Sequence, residues 1–291
     1  MSEGHTKEPI VVHTSHSNRV TAICLRRYPF NQWWSNGQPI QSMGFQWGNF
    51  TGDTRLRWIM GEAVDIEAIR TRIREMAENS RKDGDPLSWF EEIYSESCRN
   101  AELIPWADLQ PNPLMMEWVN EHKSDGQFLV NKRALMVGCG LGDDAVGLAE
   151  LGMEVVAFDL SETCIEWCKE RFPKTDVKWV VADLAKLPDE WINNFDLVVE
   201  IHILQAVQGE VRDELASQLS PLLSSGGELL CIGKCRPEWA YEPIDEPGPP
   251  WPLKRSWLEL CFADLTLLEY KDAPDEVELD TIRYRAWFRN S

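Results

Sequence analysis

Five apolar, valine-rich runs in the second half of the chain constrain the fold more than any other feature. They are RALMVGCG (133–140), MEVVAFDL (153–160), VKWVVADL (177–184), FDLVVEIH (195–202) and GGELLCIG (226–233). Each is nearly continuous in apolar residues rather than alternating, the pattern of strands buried on both faces. Stretches with helical spacing lie between them. DDAVGLAELG follows the first run and reaches Gly152, a residue suited to a helix C-terminus. Ser161 is placed to cap SETCIEWCKERF. EVRDELASQLSPLL sets Val211, Leu215, Leu219 and Leu222 near helical spacing, and Pro221 disturbs its end. Strand–helix alternation of this kind predicts an α/β fold, a Rossmann-like doubly wound sheet that is mostly parallel. Two later runs, 265–270 and 282–289, flank an acidic loop and predict an antiparallel last strand at the end of the sheet. Before them, the prolines of 242–254 forbid helix and ladder alike and predict a stiff surface loop close to the strand ends.

The first eighty residues read differently. Asn36-Gly37 between aromatic-rich flanks predicts a hairpin, and TRLRWIMG another strand. Ile66, Ile69, Ile73 and Met76 share one helical face. Residues 79–86, NSRKDGDP, read as a polar linker. The expected organisation is an N-terminal α+β extension over 1–80, a helical leader or lid over 81–132, and a ligand-binding domain over 133–291. Trp33, Trp34, Trp47 and Trp58 suit an aromatic lid, the core of a small module or the surface of a homodimer. His13 and His16 receive no role.

Composition narrows the partners. A formal net charge of -19 opposes nucleic acid and anionic membrane, whose binding rests on neutralised phosphates. The polar start MSEGHTKEPIVVHTSHS has no signal-peptide core, and no apolar run reaches the roughly 18 residues of a membrane span. A cytoplasmic protein with a small-molecule substrate is expected. Eight cysteines in a chain of this length and setting read as free thiols, not a disulfide framework. Cys164/Cys168 and Cys231/Cys235 have three-residue gaps, and no histidines stand at ligand spacing, so no metal site is expected.

The first of the five runs leads into Gly138, Gly140 and Gly142, and the second ends on Asp159, 19 positions after Gly140. A strand, a glycine turn, a helix and then an acid at the next strand's end is the arrangement of a βαβ nucleotide site. The glycines admit close backbone approach, and Asp159 can accept from two ribose hydroxyls. A dinucleotide would set its pyrophosphate on the helix start, where Asp143 and Asp144 stand and would repel it. S-adenosylmethionine (AdoMet) carries no phosphate; its sulfonium and ammonium favour nearby carboxylates. The two aspartates equally suit the positive end of the helix dipole.

VGCGLGDDAVGLAELGMEVVAFDLSE resembles the first motif of class I AdoMet-dependent methyltransferases. VVADLAKLP is similar to their adenine-contacting segment, FDLVVEIHILQAV to their fourth motif, and LSSGGELLCIG to the turn and fifth strand. The resemblance implies that Asp183 meets the adenine amino group, that Leu184 flanks the ring, and that Leu160 and Glu200 also line the cofactor. Ahead of the glycine turn, WFEEIYSE…LIPWADLQPNPLMMEWV (89–119) resembles the leader of the thiopurine and thiol S-methyltransferase branch, with PWAD in place of that branch's PWD. In that branch the leader folds over the cofactor, which implies Trp89 and Trp106 as aromatic faces for the sulfonium. GPPWPLKRSWLELCFADLTLLEY resembles the stretch before the last strands in bacterial members. The resemblance covers about residues 85–291.

Methyl transfer is an in-line displacement with a good leaving group, so the protein chiefly aligns donor and acceptor. A base is needed only where the acceptor must lose a proton early. Thiols, near a pKa of about 8.5, need modest help and thioethers none. His202, at the end of the fourth run, is the candidate base. A histidine there equally suits a pocket wall bonded to its neighbours. Cys139, inside the turn, reads as a small apolar filler. The expected function is S-methylation of a small thiol or thioether; N- or O-methylation of a metabolite and a non-catalytic AdoMet-binding regulator are the alternatives. An NAD-type oxidoreductase is disfavoured by Asp143, which stands where the third glycine belongs.

Overall fold

The computed structural model describes residues 66–291 apart from 123–128, 244–245, 276–277 and 279, and the backbone of four short strands before them. Those strands are β1 (Trp34–Ser35), β2 (Gln38–Pro39), β3 (Leu56–Ile59) and β4 (Glu62–Asp65). β1 pairs antiparallel with β2 in the register Trp34↔Pro39, where the sequence predicts a hairpin, and β3 pairs antiparallel with β4. The side chains of Trp33, Trp34, Trp47 and Trp58, and His13 and His16, lie outside the described residues.

The chain forms two compact units, Met1–Glu67 and Ala68–Ser291. Helix α1 (Ile66–Lys82) runs through the first half of the stretch expected as a linker. It continues because Ile73, Met76, Ala77 and Ser80 are buried at helical spacing, the first three in a cluster with Trp89, Ile93 and Tyr94. It stops before Gly84, whose φ of 80° no helix holds. The leader then forms α2 (Trp89–Glu96) and α3 (Pro113–His122).

The second unit continues as β5 (Arg133–Val137), α4 (Asp143–Glu150), β6 (Glu154–Asp159), α5 (Glu162–Arg171), β7 (Lys178–Val181), β8 (Phe195–Ile201), α6 (Gly209–Ser217), β9 (Leu223–Cys235), α7 (Arg255–Cys261), β10 (Thr266–Pro274) and β11 (Ile282–Arg289). Its seven strands are ordered β10-β11-β9-β8-β5-β6-β7. β7, β6, β5, β8 and β9 are mutually parallel, while β11 runs antiparallel to both β9 and β10. The two late strands thus form that end of the sheet, with the antiparallel last strand lying between β9 and β10. Alternate residues enter two cores, as a sheet covered on both faces requires. Leu135, Val137, Val156, Phe158, Val198 and Leu229 fill one; Ala134, Met136, Val155, Ala157, Val199 and Leu230 fill the other. Strand order reverses between β5 and β8, and crevices beyond strand ends at such a reversal are where open α/β sheets bind ligands.

Candidate functional site

The turn from β5 into α4 is held by glycine for two separate reasons. Gly138, Gly140 and Gly142 have φ of 54°, 51° and 88°, a region that side chains disfavour. At two of them space is closed as well. A Cβ on Gly138 would lie 2.3 Å from Ile203 Cδ1, and one on Gly142 would lie 2.6 Å from Trp179 Cη2. Around Gly140 the neighbours stand at ordinary contact distance: the Tyr94 hydroxyl at 3.5 Å and the Trp106 ring at 3.9 Å from that Cβ position. The leader thus lies against the middle of the turn.

Asp159 ends β6 beside it. Its Oδ2 accepts from the Gly140 amide at 3.1 Å and its Oδ1 from the Ser161 amide at 3.0 Å. The residue is buried, which raises its carboxyl to a pKa of about 6 against the pull of those backbone amides. Ser161 is the N-cap of α5 and accepts from the Cys164 amide at 3.0 Å, as its position predicts. Its hydroxyl donates to Glu91 of α2 at 2.6 Å, and Glu91 also accepts from the Thr163 amide and hydroxyl. Leu160, partly exposed, joins Asp159 to this cap. Asp183 caps a short 3-10 turn over Leu184–Lys186, with Oδ1 accepting from Ala185 at 2.9 Å; Leu184 is buried in the core below.

Trp89 and Trp106 part company. Trp89 is 1% exposed and Trp106 37%. Their rings meet edge to face at 6.0 Å, so Trp89 supports Trp106 from below while Trp106 faces the turn. Trp106 also donates from Nε1 to the Tyr94 hydroxyl at 2.9 Å.

Asp143 and Asp144 tie the turn to its neighbours. Asp143 forms a two-pronged bridge with Arg171 of α5 at 2.7 and 2.8 Å, and Arg171 donates to the Leu141 carbonyl as well. Asp144 accepts from the Asn112 amide at 2.5 Å, and burial lifts its carboxyl to a pKa of about 6. Glu200 is likewise withdrawn from the surface. Fully buried, it accepts from the Leu204 amide at 3.0 Å, and burial lifts its pKa to about 7. It holds the 202–205 turn from within the core.

His202, at a φ of 65°, has both ring nitrogens engaged. Nε2 lies 2.9 Å from Arg283 Nη1, which can only donate, so Nε2 accepts and Nδ1 donates to Gln205 Oε1 at 3.1 Å. Burial and then the Arg283 charge depress its pKa to about 4. A neutral imidazole already accepting from a guanidinium has no lone pair to offer a substrate proton. Gln205 in turn bonds both backbone groups of Lys234 on β9, at 3.0 and 2.6 Å.

Tyr94, Arg171, Glu91 and Gln205 escape a sequence reading because each acts across the fold. Only the density of polar and aromatic residues in WFEEIY could have pointed to the leader pair. Among the described residues no cluster of His, Cys, Asp or Glu could hold a metal ion, and no helix is long and apolar enough to cross a membrane.

AdoMet suits this arrangement. The turn offers backbone at Gly140 without a side chain, Asp159 keeps acceptor capacity beyond its two backbone bonds, and an aromatic face lies over the loop. Residues 134–227 match the family model described as "Methyltransferase domain". The chain is 27% identical over 209 residues to a probable thiol methyltransferase 2 of Arabidopsis thaliana, across 70% of this chain and 82% of that protein. It is 31% identical over 142 residues to thiocyanate methyltransferase 1 of the same plant, across 47% of this chain and only 59% of that protein. A structure from work on the conversion of a disulfide bond into a thioacetal group during echinomycin biosynthesis superposes with a TM-score of 0.51 at 22% identity, covering 64% of this chain and 85% of that one; it bears on the fold alone. The chain carries a class I AdoMet-dependent methyltransferase domain with AdoMet as its cofactor, and it resembles the thiol S-methyltransferase branch.

Proposed function

We propose that this protein methylates the sulfur of a small thiol or thioether by in-line displacement. The observation that carries the reading is the commitment of His202 to Arg283 and Gln205, which supports an acceptor that needs little or no help from a base. Bound AdoMet supplies a methyl group activated by a sulfonium. In this reading Asp159 holds the ribose hydroxyls, Gly138, Gly140 and Gly142 admit the ligand to the backbone, and Asp183 and Leu184 take the adenine. Trp106 covers the sulfonium and keeps water out; Trp89, Leu160 and Glu200 support these groups. His202 positions Arg283 and the end of β8. The similarity to thiol and thiocyanate methyltransferases supports sulfur as the acceptor atom.

The cytoplasm is the proposed compartment, supported by seven free cysteines among the described residues. A homodimer contact through the N-terminal extension is also proposed. The acidic surface supports small molecules over nucleic acid. The test is S-adenosylhomocysteine release on a panel of thiols, thioethers, amines and carboxylates. Turnover confined to sulfur acceptors supports the reading. Turnover only on amines or carboxylates replaces it with the alternative acceptors, and tight AdoMet binding without any turnover favours a regulator.

A further inference from the structure

Three buried thiols converge on one backbone oxygen of the cofactor turn. Cys164 and Cys168 donate to the Gly140 carbonyl at 2.9 and 3.0 Å, and Cys139 Sγ lies 3.7 Å from the same oxygen. They come from two elements: Cys139 from the turn, and Cys164 and Cys168 from one face of α5. Cys168 also lies against Gly142, 3.1 Å from that residue's Cβ position. Nothing in methyl transfer uses them, and a thiol is only a weak donor where a small apolar side chain would pack as well.

We propose that Cys139 and Cys168 are a hydroperoxide-sensitive dithiol whose disulfide unseats the glycine turn and lowers cofactor affinity. The effect on affinity rests on AdoMet binding at this turn; the disulfide itself does not. The Cys168 thiolate attacks a hydroperoxide, the O–O bond breaks, and an alcohol or water leaves while Cys168 becomes a sulfenic acid. The Cys139 sulfur then displaces that oxygen as water and the S–S bond forms. Two thiols and one hydroperoxide give one disulfide, one alcohol and one water. Once Cys168 loses its proton, the Cys139 and Cys164 S–H groups can turn from the Gly140 carbonyl to its sulfur; those bonds, with the Arg171 charge nearby, favour the Cys168 thiolate, while burial pushes the Cys139 and Cys164 thiols up.

The partner is Cys139 because Cys164 shares a helix with Cys168. Cβ atoms four residues apart on a helix stand roughly 5–6 Å from each other, whereas a disulfide needs about 3.8 Å. The turn can move toward α5 more readily than the helix can distort. Doing so removes the Cys168 hydrogen bond to the Gly140 carbonyl and drags the residue whose amide holds Asp159. Tyr94 and Trp106 lie over Gly140, so the thiols open to solvent when the leader lifts for cofactor exchange and are shielded when cofactor is bound.

The experiment treats the full reduced chain with hydrogen peroxide, maps peptides without reduction, and titrates AdoMet before and after. We expect a Cys139–Cys168 cross-link, a loss of AdoMet affinity of about tenfold or more, recovery with dithiothreitol, and protection by saturating AdoMet. Cys168→Ser should show the same affinity before and after peroxide, while Cys98→Ser and Cys261→Ser stay as sensitive as the native chain. Absence of a cross-link between turn and α5, or a cross-linked protein that binds AdoMet as tightly as the reduced one, overturns the proposal. If Cys168→Ser does not fold, mapping and dithiol reversal on the native chain still decide. Failure of the reduced chain to bind AdoMet at all counts against the proposed function, and the map alone then judges the disulfide.

Discussion

Burial raises the carboxyls of Asp144, Asp159 and Glu200, and the consequences differ by residue. Asp159 must be ionised to serve as a double acceptor. Asp159→Ala should weaken AdoMet binding by about 2 kcal/mol or more, because the ribose hydroxyls lose their partner. In the native chain, affinity should fall about tenfold as pH drops from 7 to 5, through the pKa of about 6. Calorimetric titration across that range checks both, and native affinity in the variant would remove Asp159 from the site. Glu200 bears on stability instead. Its folded pKa of about 7 exceeds its ordinary 4.5, so the fold binds its proton more tightly between those values and loses stability as pH rises through them. Glu200→Gln, neutral throughout, should gain on the native chain by about 2 kcal/mol between pH 5 and pH 8. Denaturant unfolding at the two pH values reads this directly; a pH-independent difference would contradict it.

At the scale of elements, the leader lies against the glycine turn through Tyr94 and Trp106. α2 is pinned to the start of α5 through Glu91, whose carboxylate accepts from Ser161 and Thr163 and is held below the ordinary range by those bonds against its own burial. A single hydrogen bond to a charged group contributes about 1.5–3 kcal/mol. Glu91→Ala should therefore raise the KM for AdoMet, by about tenfold if a single such bond's worth is felt at the site. Steady-state kinetics at saturating acceptor would show it, and an unchanged KM would mean that the leader closes without this pin. The same logic explains α1. A polar tail that reads as a linker stays helical because Ser80 donates its place to the core and accepts from the Ser88 hydroxyl at 3.0 Å.

For the whole molecule, charge is unevenly shared. Residues 1–67 hold six Lys/Arg and six Asp/Glu, so the formal charge of -19 falls on residues 68–291. An anionic acceptor approaches that field at a disadvantage which salt screens within about 10 Å at 0.1 M. Its turnover at low substrate should rise as salt increases, while a neutral thioether should be indifferent; rates at two ionic strengths distinguish them. Because Ala68–Ser291 is a compact unit by itself, deleting residues 1–67 should leave AdoMet affinity within about threefold, an outcome calorimetry can check. A large loss would mean that the first unit shares in the cofactor site.

The doubly wound sheet, the glycine turn, Asp159 at the end of β6 and Ser161 at the start of α5 are all legible in the sequence alone. Those follow from local rules: continuous apolar runs need covering on both faces, positive φ needs glycine, and a helix start needs a side-chain acceptor. Tertiary structure decided what each polar group at the turn is for. Asp143 and Asp144 read equally as groups for a cationic ligand or for the helix dipole, and they anchor the turn because Arg171 and the Asn112 amide reach them from 28 and 32 residues away. His202 reads as a base or as a pocket-wall histidine bonded to its neighbours; both ring nitrogens find partners because Arg283 arrives from β11, 81 residues on, and Gln205 from the adjoining turn. A side chain's residue type limits the chemistry open to it; the partner that uses its lone pair is set by distant segments brought together by the sheet.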